Sequence, residues 1–187
     1  MRGLKRCAVG LGILVAVPTS PAASASYCAT LGRQIAEHWS AKEPILGPEV
    51  GGHISMATAL CAQDAFVAEL RRTEGPPVGW KVGLTSKAVQ QQLGVSTPVA
   101  GRLLLGMLVE DGATVAIPYA TRPIVEADLV LRVRGAEITT ASTRQDALRG
   151  VDALYPFIEL PDLMLNPDQP VTASIVAAIN VGARVGV

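Results

Sequence analysis

Pro123-Ile124-Val125-Glu126-Ala127-Asp128-Leu129-Val130-Leu131-Arg132-Val133 is the stretch that decides the fold class. Side chains of a strand alternate between its two faces. Here Val125, Ala127, Leu129, Leu131 and Val133 line one face, and Ile124, Glu126, Asp128, Val130 and Arg132 line the other. The spacing predicts a strand over residues 123–133. A lone strand cannot bury its apolar face, so partners are needed. The apolar run at residues 155–160, interrupted by Glu159, suits a second strand. Residues 78–84 read as a short strand, and 114–117 as a brief one ended by Pro118.

Upstream the period changes from two to about four. Leu31, Ile35 and Trp39 recur at four-residue spacing, which predicts a helix over 27–41. Residues 42–52 are rich in Pro and Gly and read as a connection. A second helix is expected over 55–72, before Gly75-Pro76-Pro77, and a short one over 86–93. Thr143-Arg144-Gln145-Asp146 resembles a capping box opening a helix towards Leu154. Residues 172–178 suit either a helix or a strand. The class is α+β: a small helical part over 26–76, then a strand-rich core over 77–187.

The chain has 187 residues, 49% of them hydrophobic and 17% charged, which excludes disorder. Its net charge is zero, so no basic surplus exists to neutralise nucleic-acid phosphates. The balance includes residues 1–25, which read as a signal peptide. Arg2, Lys5 and Arg6 precede an apolar run from Cys7 to Val17, too short to span a bilayer. Ala23-Ser24-Ala25 supplies an A-x-A cleavage site after the small, helix-breaking residues that follow Val17. Cleavage removes three basic residues and no acidic one, which moves the net charge to −3. The expectation is an exported protein, periplasmic or secreted, with no stable membrane span after cleavage; a misassigned start would make it cytoplasmic. Cys28 and Cys61 remain, and spacing leaves open whether they form a disulfide or two buried thiols.

Glu126 and Asp128 are two apart on the main strand, with Cα atoms about 6.6 Å from each other and side chains pointing the same way. Glu159 interrupts an apolar run, where an unpaired carboxylate is costly to bury. A divalent cation held by all three resolves both features, and oxygen ligands select Mg²⁺ or Mn²⁺. The rival reading is a solvated strand face plus a Glu paired to Lys or Arg. Lys81, flanked by Gly79-Trp80 and Val82-Gly83, is either a desolvated proton-handling or anion-binding group or an edge Lys reaching water. His38 and His53 are the only histidines, too few for a typical zinc site. No dinucleotide, P-loop or nucleophile-elbow motif occurs.

The ordered series Gly79-Trp80-Lys81-Val82-Gly83-Leu84-Thr85-Ser86-Lys87, Gln90-Gln91-Gln92-Leu93-Gly94-Val95, Gly101, Met107, Ile117-Pro118, Val125-Glu126-Ala127-Asp128, Ile158-Glu159 and Asn180 resembles the 2-keto-4-pentenoate hydratase and 4-oxalocrotonate decarboxylase family. That family lies within the fumarylacetoacetate hydrolase superfamily. The resemblance covers residues 55–187. It implies a small helical N-terminal part and a mixed β-sandwich or barrel-like core, incomplete at the C-terminus, because family members continue past the Asn matched by Asn180. It implies Mg²⁺ or Mn²⁺ on Glu126, Asp128 and Glu159, with Lys81 catalytic and Lys81, Thr85 and Arg122 near the substrate. The implied activity is a metal-dependent lyase reaction on a small unsaturated 2-oxo acid, through an enolate, in a homo-oligomer. Three departures stand out. Val99 replaces an acid/base Asp in Pro98-Val99-Ala100-Gly101, Ile124 replaces an Arg for which Arg122 is a partial substitute, and the chain stops early. Two rivals therefore stay open: a non-catalytic binder of a 2-oxo acid or dicarboxylate, and an acylpyruvate hydrolase needing a further base.

Overall fold

The computed structural model describes residues 21–45 and 54–186. Most of the expected signal segment, and His53, lie outside the described residues. Helix α1 (Pro21–Ala41) starts earlier than the periodicity indicated, because Pro21 suits a first helical position and the alanines after it favour helix. The small-residue stretch expected to break helices is therefore helical from Pro21 onward. Helix α2 (Met56–Glu74) is capped by Ser55, whose hydroxyl accepts the N–H of Thr58.

Leu31 and Ile35 of α1 face Ala62, Phe66 and Leu70 of α2, all essentially sealed from solvent. At roughly 1.5–3 kcal/mol for each large side chain buried, this seam is a major stabilising contact. Its closeness depends on Gly32, where a Cβ would lie 2.5 Å from Ala65 Cβ and 2.6 Å from the Ala62 carbonyl oxygen. Cys28 and Cys61 form a disulfide between the two helices, with Cα atoms 5.7 Å apart.

Strand β1 (Pro77–Gly83) pairs antiparallel with β2 (Val99–Leu104), placing Lys81 opposite Gly101. The sequence reading did not anticipate β2; its central Gly101 hides the alternation on which that reading depends. Between them α3 (Lys87–Gln92) is capped by Ser86. The strand expected at 114–117 is absent. That stretch is irregular and enters a single 3₁₀ turn, Ile117–Tyr119, with no neighbouring strand to pair with.

A second sheet has the order β3–β4–β5, antiparallel throughout, from β3 (Glu126–Val133), β4 (Val151–Leu160) and β5 (Val185–Gly186). β3 begins three residues later than expected, since Pro123 has no N–H for a ladder and makes only an isolated bridge to Asp162. The capped helix α4 (Arg144–Arg149) stops before Gly150, and residues 151–154 extend β4 instead of the helix. Helix α5 (Ala173–Ala178), capped by Thr172, is buried against α2.

The core thus sits among α1, α2 and α5, with Leu104, Met107, Met164 and Leu165. The β3–β4 sheet contributes little to it. Val125, Leu129 and Leu131 on the apolar face of the deciding stretch are 72%, 58% and 54% exposed. A mixed helix-and-strand architecture is present as expected.

Candidate functional site

The site is built where the two sheets meet. Lys81 projects from β1 and Glu159 from β4, and the two side chains form an ion pair. Both are nearly sealed, at 12% and 7% side-chain exposure. Glu126 is the direct cross-strand partner of Glu159, so their side chains share a face. Asp128 follows two residues along on that same face, opposite Phe157. Both β3 carboxylates are exposed, and Asp128 Oδ1 accepts the N–H of Leu129 at 2.8 Å.

Burial pushes the Glu159 carboxyl above the usual carboxylate range; the hydrogen bond and charge of Lys81 oppose that rise, and the charges of Glu126 and Asp128 add to it. The four side chains therefore form one electrostatic unit. The ammonium of Lys81 supplies the countercharge that a carboxylate in an apolar run requires. Among the described residues, no group of three or more His, Cys, Asp or Glu side chains is gathered as a metal cage. By donor type the three carboxylates fit a hard divalent ion. They sit on adjoining register positions of one sheet face, and the two on β3 are free of burial, but Glu159 is turned to Lys81.

The remaining expected site residues are not part of this unit. Thr85 is exposed, just after the end of β1, beyond Leu84 at φ 56°. Arg122 is also exposed, and its backbone N–H donates to Asp162 Oδ1 at 2.9 Å. It precedes β3 in a bend, so strand alternation does not put it on the face of Ile124. Val99 opens β2 opposite Gly83 and packs into the core. His38 lies half-buried on α1.

Three buried polar groups escaped the sequence reading. Asp162, 1% exposed, accepts N–H bonds from Thr121, Arg122 and Met164, which fixes the turn leaving β4. Arg184 stacks on Trp39 at 3.7 Å and donates to the carbonyls of Trp39 and Tyr119. Burial lowers its affinity for the proton, an effect the charge of Asp162 opposes. Gln63 donates to the carbonyls of Ala100 and Ala177 and accepts from Arg102, joining α2 to β2 and α5. Met164 lies only two residues from Asp162, but the other partners are brought up by tertiary packing, which leaves no sequence signature.

No family model matches the chain. Among curated proteins it is similar to 2-keto-4-pentenoate hydratase 2 of Dechloromonas aromatica, at 42% identity over 99 residues, or 52% of this chain and 36% of that one. It is likewise similar to a 4-oxalocrotonate decarboxylase of a Pseudomonas species, at 35% identity over 85 residues, or 46% of this chain and 33% of that one. The chain thus spans about a third of the length of these relatives. In fold it resembles the 4-oxalocrotonate decarboxylase of Pseudomonas putida G7 complexed with magnesium and adipate, with a TM-score of 0.73 at 22% identity. That match covers 86% of this chain and 61% of the decarboxylase. The same enzyme complexed with calcium and acetate gives a TM-score of 0.70. The resemblance indicated by the ordered motifs is present: over part of their length the chain is similar to 2-keto-4-pentenoate hydratases and 4-oxalocrotonate decarboxylases.

Proposed function

We propose that this relative of the hydratases and decarboxylases is a metal-dependent lyase acting on a small unsaturated 2-oxo acid of the 2-hydroxypenta-2,4-dienoate type. The observation that carries the reading is the nearly sealed Lys81–Glu159 pair beside Glu126 and Asp128. Glu126, Asp128 and Glu159 would hold Mg²⁺ or Mn²⁺, a choice supported by their oxygen donors and by the magnesium and calcium in the complexes of the similar fold. Such an ion, when bound, supplies Lewis acidity and orientation to a 2-oxo acid.

The chain's own groups do the rest. Lys81 supplies the countercharge that opposes the rise burial imposes on the Glu159 carboxyl, and it brings Nζ to the site. Val99, packed in the core, has no proton to give. Lys81 Nζ is therefore the group assigned to move a proton at the substrate carbon. Arg122, in its exposed bend, carries a cation for the substrate carboxylate, and Thr85 a hydroxyl for its oxygens.

The test is to load the full chain with Mg²⁺ and follow the ultraviolet absorbance of 2-hydroxypenta-2,4-dienoate. Loss of absorbance that depends on metal and vanishes in Lys81→Met supports the lyase. The buried apolar Val99 favours one other reading, a non-catalytic binder of the same acids. Mg²⁺-dependent binding without turnover would establish that reading in place of the lyase.

We further propose that the protein is exported after cleavage at Ala25 and assembles as a homo-oligomer. The Cys28–Cys61 disulfide supports export, since such bonds persist in oxidising compartments. The uncovered β3–β4 face supports assembly. N-terminal sequencing of mature protein tests the first: a start other than Ser26 counts against it.

A further inference from the structure

The two sheets share no strand, yet the Lys81–Glu159 pair spans them. Something must fix their relative position. The segment from Asn180 to Gly186 touches both. At one end, Asn180 is fully buried and grips β2 with both ends of its amide. Its Oδ1 accepts the N–H of Arg102 at 2.6 Å, and its Nδ2 donates to the Arg102 carbonyl at 2.8 Å. A side chain here takes the place of a neighbouring strand, beside the residue that pairs with Lys81. Gly101 makes the approach possible, because a Cβ there would lie 2.5 Å from the Asn180 carbonyl oxygen. At the other end, Val185 and Gly186 pair with Leu160 and Glu159. Between them, Gly182 accepts the N–H of Asp162 at 2.9 Å.

The turn joining the two ends is strained. Asn180 and Val181 have φ values of 55° and 58°. Asn tolerates that region, but a β-branched Val rarely enters it. Val181 sits there with its Cγ1 lodged over Gly83, where a Cβ would be 2.4 Å away. Strain of this kind persists where the surroundings over-determine the backbone. Here those surroundings are Gly83 and Gly101, on the two strands that carry and flank Lys81.

We propose that Asn180 is a positioning residue that sets the approach of Lys81 to Glu159 by holding the β1–β2 hairpin against β4. The geometric claim stands apart from the lyase reading, and its catalytic consequence rests on that reading. The test replaces Asn180→Gly, which keeps the positive φ without strain and removes both amide bonds. The readout is the rate at which acetic anhydride modifies each lysine, followed by mass spectrometry on the folded full-length protein. Lys81 should react at least fivefold faster in the variant, with Lys42 and Lys87 unchanged. An unchanged Lys81 rate overturns the proposal. So does a parallel rise at Lys42 and Lys87, which reports general loosening instead of a local release. If Lys81 is released in the variant while the wild type turns over no dienoate, the positioning role holds and the lyase reading fails. Where turnover is present, Asn180→Gly should lower kcat at least tenfold while leaving KM within about twofold.

Discussion

Removing the ammonium from the Lys81–Glu159 pair tests the electrostatics of the site directly. In Lys81→Met the apolar stem is kept and Glu159 is left buried without its cation. Breaking a buried pair from one side costs about 3–5 kcal/mol, because the other charge stays desolvated. Glu159 can escape part of that cost by taking up a proton, so about 3 kcal/mol is expected near pH 8. The direction with pH follows from the carboxyl's raised pKa. Burial already holds it above its unfolded value, and losing Lys81 removes the two influences that lower it. A group with a raised folded pKa contributes stability that is complete below the unfolded pKa and is lost as pH rises through the folded one. The variant should therefore lie close to wild type at pH 5 and fall away between pH 5 and 8. In a domain of this size, 3 kcal/mol corresponds to about 6–12 °C in Tm. Urea titrations by circular dichroism at both pH values, in a chelator, measure it. A penalty equal at pH 5 and pH 8, or one below about 1 kcal/mol at pH 8, would refute the reasoning. Glu159→Gln in the Lys81→Met background should remove most of the pH dependence.

Glu126→Gln with Asp128→Asn touches exposed side chains, so stability should change by less than about 0.5 kcal/mol while Mn²⁺ affinity, read by electron paramagnetic resonance, falls at least tenfold. Unchanged affinity would remove these residues from the metal proposal. Replacing both Cys28 and Cys61 with Ser opens a closure across 33 residues and should cost about 3–4 kcal/mol in denaturant unfolding, and a reducing agent should lower the wild type by the same amount. Leu129→Lys places a charge in the middle of the uncovered β3–β4 face and should shift sedimentation towards the monomer. An unchanged oligomer would place the interface elsewhere.

Local features of this fold were readable where the chain signals them locally. Ser55, Ser86 and Thr143 each cap an expected helix with a side-chain oxygen; Thr172 caps one too, but there the short apolar run 172–178 suited helix and strand alike. The alternation of residues 123–133 likewise survives as β3. What failed was pairing. β2 is a strand because β1 and Asn180 lie on either side of it, and 114–117 is not one because it pairs with no strand among the described residues. The same distinction holds at the site. The shared face of Glu126 and Asp128 was readable from spacing, and the need of Glu159 for a partner from its conflict with an apolar run. That Lys81 is the partner resolving this conflict depends on how two sheets dock, which no local pattern encodes.

The charge balance gives a reason for such a site to be stable without a cation and for the proposed acid complex to require one. Fully ionised, Glu126, Asp128 and Glu159 carry three negative charges against one positive charge on Lys81. Only the buried pair needs compensation at once, and it has it. The two β3 carboxylates are exposed, and water screens them at little cost. A bound acid changes that arithmetic. Covering Glu126 and Asp128 with an anionic ligand would strip their water and add like charge, which costs several kcal/mol without a counterion. A divalent ion offsets the two uncompensated charges left by Lys81. On this argument the metal is needed by the ligand complex more than by the fold. Metal and ligand should then bind with positive coupling, each raising the affinity of the other by the same factor.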